Sequence, residues 1–436
     1  MKKYTNHIVW TLVILNLLWF VYTLWQNCIN LPFLRDDTIF FLNTFHSGYI
    51  EADNFLDKIK YLFTAGVRPH PKIIGRVASI LCYEMTGEIN FRWLTFFGSL
   101  MIIPIWWVVT RFDKSPMVRL ISCLLIVTPM MTHIWSVAIY SYYGHVLFLL
   151  LAFYFMGRHK ILMAGVSALV CSLSIANGWL IFIFLIVHIV ISNAQVRFHN
   201  KTIWRDLLLL LPFFMVSLLI TYLITNVGFD ESSLELSRDK LKKALVTRPM
   251  FTLNSFLNFL FQSLTDIFQA KNIMHVLLGI SWITLMLAAI KFRRKFIVEN
   301  KEPLLIVSYI LIMAIVASIS RLLGNFDRYM IFSSIFIVTS IIFFKRVFVQ
   351  YAFRSAYRLI IVGIFSVFLL NSNVDRAKQL SEQSKSLDQK TVIKAKKNQK
   401  RQINRLKTDP AVSVLNNTKH TVMKNKILIA VIAILT

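Results

Sequence analysis

Long apolar runs separated by short polar stretches set the pattern of this chain. They fall at 8–25, 91–109, 118–136, 146–156, 161–176, 179–191, 207–224, 274–290, 303–318, 331–344 and 359–370. About 20 apolar residues in a helix cross the hydrocarbon of a bilayer, and the shorter runs must borrow flanking residues to do so. The pattern predicts an all-α polytopic membrane helical bundle of about 11 spans. Two stretches have a different rhythm. Residues 72–84 are only moderately apolar and read as a helix lying against the outer leaflet. Residues 251–268 put Phe256, Leu257, Leu260, Phe261, Leu264, Ile267 and Phe268 on one helical face, with Asn254, Asn258, Gln262 and Asp266 largely elsewhere. That is an amphipathic helix suited either to the outer interface or to packing on the bundle.

The polar gaps fix the sidedness. The first run follows MKKYTNH and has no small-x-small cleavage site behind it, so it reads as an uncleaved signal anchor with Lys2 and Lys3 inside. Alternation then assigns to the inner face Arg111, Lys114 and Arg119; Arg158 and Lys160; Arg197, Lys201 and Arg205; Lys291, Arg293, Arg294 and Lys295; and Lys345, Arg346, Arg354 and Arg358. Every inner gap carries several positive charges, as the positive-inside rule asks. Residues 1–370 thus form the membrane unit, with large extracytoplasmic loops at 27–92 and 225–272. Residues 371–436 form a basic polar tail with a short apolar C-terminus.

Composition agrees. The 436 residues are 56% hydrophobic and 14% aromatic, and mean hydropathy is +0.62. A net charge of +27 would suggest nucleic acid in a soluble protein. Here the basic residues sit between spans, where anionic lipid headgroups lie, so membrane lipids are the expected partner and nucleic acid is not. Four cysteines make no metal motif, and a disulfide between Cys28 and Cys82 is left open. The apolar runs are almost free of Asp, Glu, Lys and Arg, unlike the spans of ion-coupled transporters. No phosphate-binding glycine loop, HExxH or paired CxxC occurs.

The candidate chemistry lies in the outer gaps. Asp36 and Asp37 follow the first span, and either carboxylate suits a base that accepts a hydroxyl proton, or a helix N-cap near Thr38. On a helix they would point about 100° apart, so one of them would reach a reacting centre. Arg68, His70, Lys72 and Arg76 supply fixed positive charge for a phosphate leaving group, or a basic stripe against headgroups. Arg321 and Arg328 lie in a short turn between two apolar runs, where charge usually has a task or a partner, and Asp327 is one such partner. Residues 132–145 read as an aromatic outer turn, with His133, Trp135, Tyr140, Tyr142, Tyr143 and His145. Such rings stack on sugars, and they also collect at every membrane interface. The residues require no metal, although two carboxylates are able to hold a divalent ion.

The order of these pieces resembles the bacterial polytopic glycosyltransferases called GT-C. RDDTIFF (35–41) looks like their acidic pair after the first span. HPKIIGRVASILCYEMTG (70–87), with Asn90 and Phe91 after it, looks like their interfacial helix leading to the second span. SIANGWLIF (174–182) is similar to their small-residue NG turn, and SRLLGNFDRYMIFSS (320–334) to their late arginine-bearing segment. Thr38 stands where an aromatic residue is frequent, Asp327 where a small residue is usual, and Pro71 where an arginine often follows the histidine. The last departure shifts weight from His70 to Arg68 and Arg76.

The resemblance implies sugar transfer at the outer face of a bacterial inner membrane. The donor would be a polyprenyl-phosphate sugar such as undecaprenyl-phosphate glucose, and the acceptor a cell-surface glycan such as the O-antigen of lipopolysaccharide. On that reading Asp36 and Asp37 are catalytic. Arg68, His70, Arg76, Arg321 and Arg328 bind the donor phosphate, and Trp135, Tyr142 and Tyr143 contact sugar. Size and composition are similar to those of phage-borne enzymes that glucosylate O-antigen. The alternatives are an O-antigen polymerase or ligase, and a lipid-linked sugar flippase or transporter.

Overall fold

The computed structural model describes residues 2–29, 45–52, 54–63, 73–128, 136–175, 177–194, 200–226, 249–268, 272–320 and 330–348. All regular structure among them is helical. Helix α1 (Lys2–Ile29) precedes a π turn at His46–Ile50 and two short helices, α2 (Phe55–Phe63) and α3 (Ile73–Thr86). Helices α4 (Phe91–Leu100) and α5 (Ile102–Phe112) run on from each other through Met101. Then come α6 (Pro116–Ile126), α7 (Ser136–Met156), α8 (Ile161–Ser172), α9 (Leu180–Ala194) and α10 (Asn200–Asn226). The last four are α11 (Pro249–Phe268), α12 (Asn272–Glu299), α13 (Lys301–Ser320) and α14 (Met330–Phe348).

The starts of these helices follow capping chemistry. Asn90 accepts from the N–H groups of Arg92 and Trp93 at the head of α4, and Ser115 accepts from Val118 N–H ahead of Pro116 in α6. The turn from α8 to α9 needs a glycine. A Cβ on Gly178 would stand 2.6 Å from Ser172 Cα and 2.7 Å from the Cys171 carbonyl.

Among the described residues five segments are long and apolar enough to cross a membrane: Asn6–Gln26, Phe91–Phe112, Ile139–Met156, Thr202–Tyr222 and Lys301–Ser318. Pro116–Ile126, Ile161–Ser172, Leu180–Ser192 and His275–Lys291 are apolar but shorter. The expected run at 118–136 ends as a helix at Ile126, and the one expected from 146 begins at Ser136. The run at 359–370 and the tail at 371–436 lie outside the described residues. Helix α11 falls inside the expected 225–272 loop but packs against α12, α13 and α14. Ser263 N–H donates to Ser333 Oγ at 3.0 Å, and Phe259 and Phe261 lie on Phe332 and Phe336. Of the two placements open to this amphipathic helix, packing on the bundle is the one adopted, with Leu260 and Phe261 of its apolar face buried.

Helix α7 is the hub of the bundle, touching α3, α4, α5, α8, α9, α13 and α14. It is apolar all round, as a central helix must be. Polar bonds fix the registers around it. Asn16 donates to the Val127 carbonyl at 3.0 Å, so a mid-α1 amide satisfies a carbonyl left open at the end of α6. Ser334 Oγ donates to the Leu125 carbonyl at 2.9 Å, joining α14 to α6. Helices α10 and α12 point large apolar side chains outward, among them Leu208, Met215, Leu219, Leu277, Ile280 and Leu287.

The bundle has two chemically distinct ends. At one, Lys345 closing α14 holds Asp113 after α5 at 2.7 Å, and Arg346 donates to Asn300 before α13 and to the Phe112 carbonyl. Arg119 lies over Trp10 near the start of α1, and Gly157 after α7 lies against Glu302. This is the basic end. The other end holds the last turns of α1, α6 and α13 and the first turns of α4, α7 and α14. Trp25 near the end of α1 packs on Trp93 at the head of α4 with ring centres 5.8 Å apart. Cys28 and Cys82 are both free thiols, so the disulfide left open in the sequence is not formed.

Candidate functional site

An aromatic cap sits at the end opposite the basic residues. Phe45, Tyr49 and Tyr61 are buried together, with Ile80, Tyr83 and Ile89 packed around them. Phe45 meets Tyr61 and Tyr83 edge-on, at 5.6 and 5.5 Å between ring centres. The Tyr49 hydroxyl donates to Glu84 at 2.8 Å. Burial, with the Glu84 carboxylate adding to it, pushes the Tyr49 phenol up to about 12. Helix α2 starts where the Asn54 side chain accepts from Asp57 N–H, and it turns Tyr61 inward while Phe55 and Leu56 stay exposed. Helix α3 buries Arg76 and Ser79 and exposes Val77, Leu81 and Met85, four residues apart on one stripe.

Arg76 has a specific local task. Its Nη1 donates to the carbonyls of Tyr61 and Leu62 at 2.6 and 3.1 Å, and its guanidinium lies 5.0 Å from the Tyr61 ring centre. These carbonyls belong to the last turn of α2, which has no helical partner for them and carries partial negative charge. Burial lowers the Arg76 pKa, and the Tyr61 phenol beside it works in the other direction. The expected phosphate ligand thus spends one nitrogen on tying α3 to the end of α2. Those two bonds also bring together the flanks of segment 64–72, which carries Arg68 and His70. Both residues lie outside the described residues, as do Asp36, Asp37, Arg321, Arg328 and Trp135.

The expected aromatic turn at 132–145 is corrected by α7. From Ser136 onward the chain is helical, because its aromatic side chains are taken into the bundle. Tyr143 is completely buried, so its ring faces the core and not a turn. Tyr142 is half-buried and meets Phe332 of α14 edge-on at 6.5 Å. His145 is also fully buried, in a network that composition gave no means to foresee. Its Nδ1 lies 3.0 Å from the Cys171 carbonyl, which can only accept, so Nδ1 carries the proton. Nε2 then accepts from the Tyr309 hydroxyl at 2.9 Å, and the three residues join α7, α8 and α13.

The described flanks of two of the charged segments, 64–72 and 321–329, meet on one turn of α7. Ile74, near the start of α3, fills the space where a Cβ on Gly144 would stand, 2.6 Å from that position. Phe332, close behind segment 321–329, packs on Tyr142 and also on His145 at 5.7 Å. Segment 30–44 leaves α1 beyond Trp25, which packs on α4, and re-enters at Phe45 in the aromatic cap. The segments holding Asp36 and Asp37, Arg68 and His70, and Arg321 and Arg328 therefore all begin and end at the same end of the bundle. Among the described residues no group of three or more His, Cys, Asp or Glu side chains is arranged to hold a metal ion. No protein family, curated protein or solved structure matches the chain.

Proposed function

We propose that this protein is a polytopic membrane glycosyltransferase. It moves a sugar, glucose in the first instance, from a polyprenyl-phosphate donor to a cell-surface glycan such as O-antigen. The bundle spans a bacterial inner membrane about 11 times, with the basic end inside and the aromatic cap outside. The observation that supports this reading is the meeting of Ile74 and Phe332 within one turn of α7. It brings flanks of the two arginine-bearing segments, 64–72 and 321–329, together at the end opposite the basic residues.

In this mechanism Asp36 or Asp37 accepts the proton of the acceptor hydroxyl as that oxygen attacks the anomeric carbon. The bond from that carbon to the donor phosphate oxygen breaks, and the charge stays on the phosphate. Arg68, Arg321 and Arg328, with His70, hold that phosphate through charge-assisted hydrogen bonds. Arg76 ties the start of α3 to the last turn of α2 through its bonds to Tyr61 and Leu62. Tyr142 and Trp135 offer ring faces to sugar near the cap, whereas Tyr143 supports α7 from within the core. The exposed stripe of Val77, Leu81 and Met85 faces the acyl chains from which the donor arrives.

The test is substitution with the purified full chain and a polyprenyl-phosphate glucose donor. Asp36→Asn and Asp37→Asn should each leave expression and monodispersity intact, and one of them should abolish glucose transfer. Full transfer by both variants would remove the base from this account.

A further inference from the structure

The basic end carries a surface that the sugar-transfer reading does not use. Three arginines there lie against aromatic rings. The Arg111 guanidinium is 4.1 Å from the ring centre of Trp107, Arg158 is 4.4 Å from Tyr154, and Arg119 is 5.2 Å from Trp10. The pairs are neighbours. Trp106 Nε1–H donates to the Arg119 carbonyl at 3.2 Å, and the Phe112 ring meets Tyr154 edge-on at 6.3 Å. Helices α5 and α6 and the turn after α7 therefore carry the three arginines at the same end of the bundle.

None of the ion pairs among the described residues involves these three arginines. Asp113 and Glu302, which lie at this end, are engaged by Lys345 at 2.7 Å and His188 at 3.3 Å. Stacking occupies the face of a guanidinium and leaves its in-plane N–H fork for an oxyanion. A phosphate fits that fork with two parallel bonds. Trp10 and Trp107 are themselves 39% and 46% exposed, and Ile8, Ile14, Leu15 and Leu18 of α1 are exposed with them. An exposed indole next to a stacked arginine at the end of a span is the chemistry of the headgroup layer.

We propose that the basic end of α1, α5, α6 and α7 binds the phosphodiester groups of anionic phospholipids, with Arg111, Arg119 and Arg158 as its ligands. An anionic headgroup neutralises the cluster. A zwitterionic one brings its own ammonium into the same space and offsets the attraction. The surface holds lipid whether or not the opposite end transfers sugar.

The test is native mass spectrometry of the full chain released from nanodiscs containing equal phosphatidylglycerol and phosphatidylcholine. The wild type should retain phosphatidylglycerol preferentially. The preference should fall by about fivefold for each arginine changed in the Arg111→Gln, Arg119→Gln, Arg158→Gln series. The triple Arg→Lys variant should also lose retention, because an ammonium keeps the charge but lacks the stacked fork. Equal retention of the two lipids by the wild type would overturn the proposal, and so would a triple lysine variant that behaves like the wild type. Displacement of the bound lipid by inorganic phosphate would assign the site to a free anion and likewise overturn it. The wild-type lipid competition and the phosphate arm decide the matter even if the glutamine variants do not fold.

Discussion

Gly178 and Gly144 are both hemmed in, by different kinds of neighbour. At Gly178 a Cβ would meet backbone, with Ser172 Cα at 2.6 Å, and nothing there can rotate away. At Gly144 it would meet the Cδ1 end of Ile74, which has other rotamers. Gly178→Ala should therefore destabilise by about 1–3 kcal/mol, and Gly144→Ala by under about 1 kcal/mol. Thermal unfolding of the two variants in detergent checks the order, and an inverted order would contradict the packing described at the α8–α9 turn. The sequence marked Asn177–Gly178 as a tight turn, because local chemistry suffices for that. It also marked Arg76 as a functional arginine, but not the carbonyls that engage Nη1. They lie at Tyr61 and Leu62, and only the folding of α2 against α3 brings them within reach. His145 was illegible for the same reason, since its partners Cys171 and Tyr309 come from α8 and α13.

At the scale of elements, the apolar runs located most helices and misplaced some ends. The aromatic content of 136–145 reads equally as a membrane interface or as a buried helix, and only the neighbours of α7 decide between them. Helix α11 shows the same limit, for its period was legible while its place on α13 and α14 was not. The join between α5, α6 and α14 yields a pH prediction. Burial alone would raise the Asp113 carboxyl, but Lys345 at 2.7 Å and Ser115 N–H at 2.8 Å outweigh it and hold it below its ordinary 3.8. A depressed folded-state pKa contributes stability above the unfolded value, and that contribution is lost as pH falls through the folded one. The wild type should therefore exceed Asp113→Asn by about 1–2 kcal/mol near neutrality. The gap should close as pH drops below 3.8. Thermal melts of both proteins across the acid range measure this, and a gap that widens on acidification would reverse the sign.

For the whole molecule, the alternation of charge along the sequence anticipated one basic end. The described contacts of Arg119, Arg158, Lys345 and Arg346 gather such an end. What the sequence could not give is the lateral order of the helices, because an apolar helix carries no label for its neighbours. That order makes α7 the post on which α3 and α14 meet, and the proposed site depends on it. The direct test is a spin-label distance between Thr38→Cys and Leu323→Cys in the full chain, with the half-exposed Cys82 changed to serine and the three buried cysteines retained. A helix of twenty residues is about 30 Å long. Gathering at one end predicts a separation well inside that length. A distance at or beyond about 30 Å would set the carboxylates and the late arginines at different ends of the bundle and contradict the account.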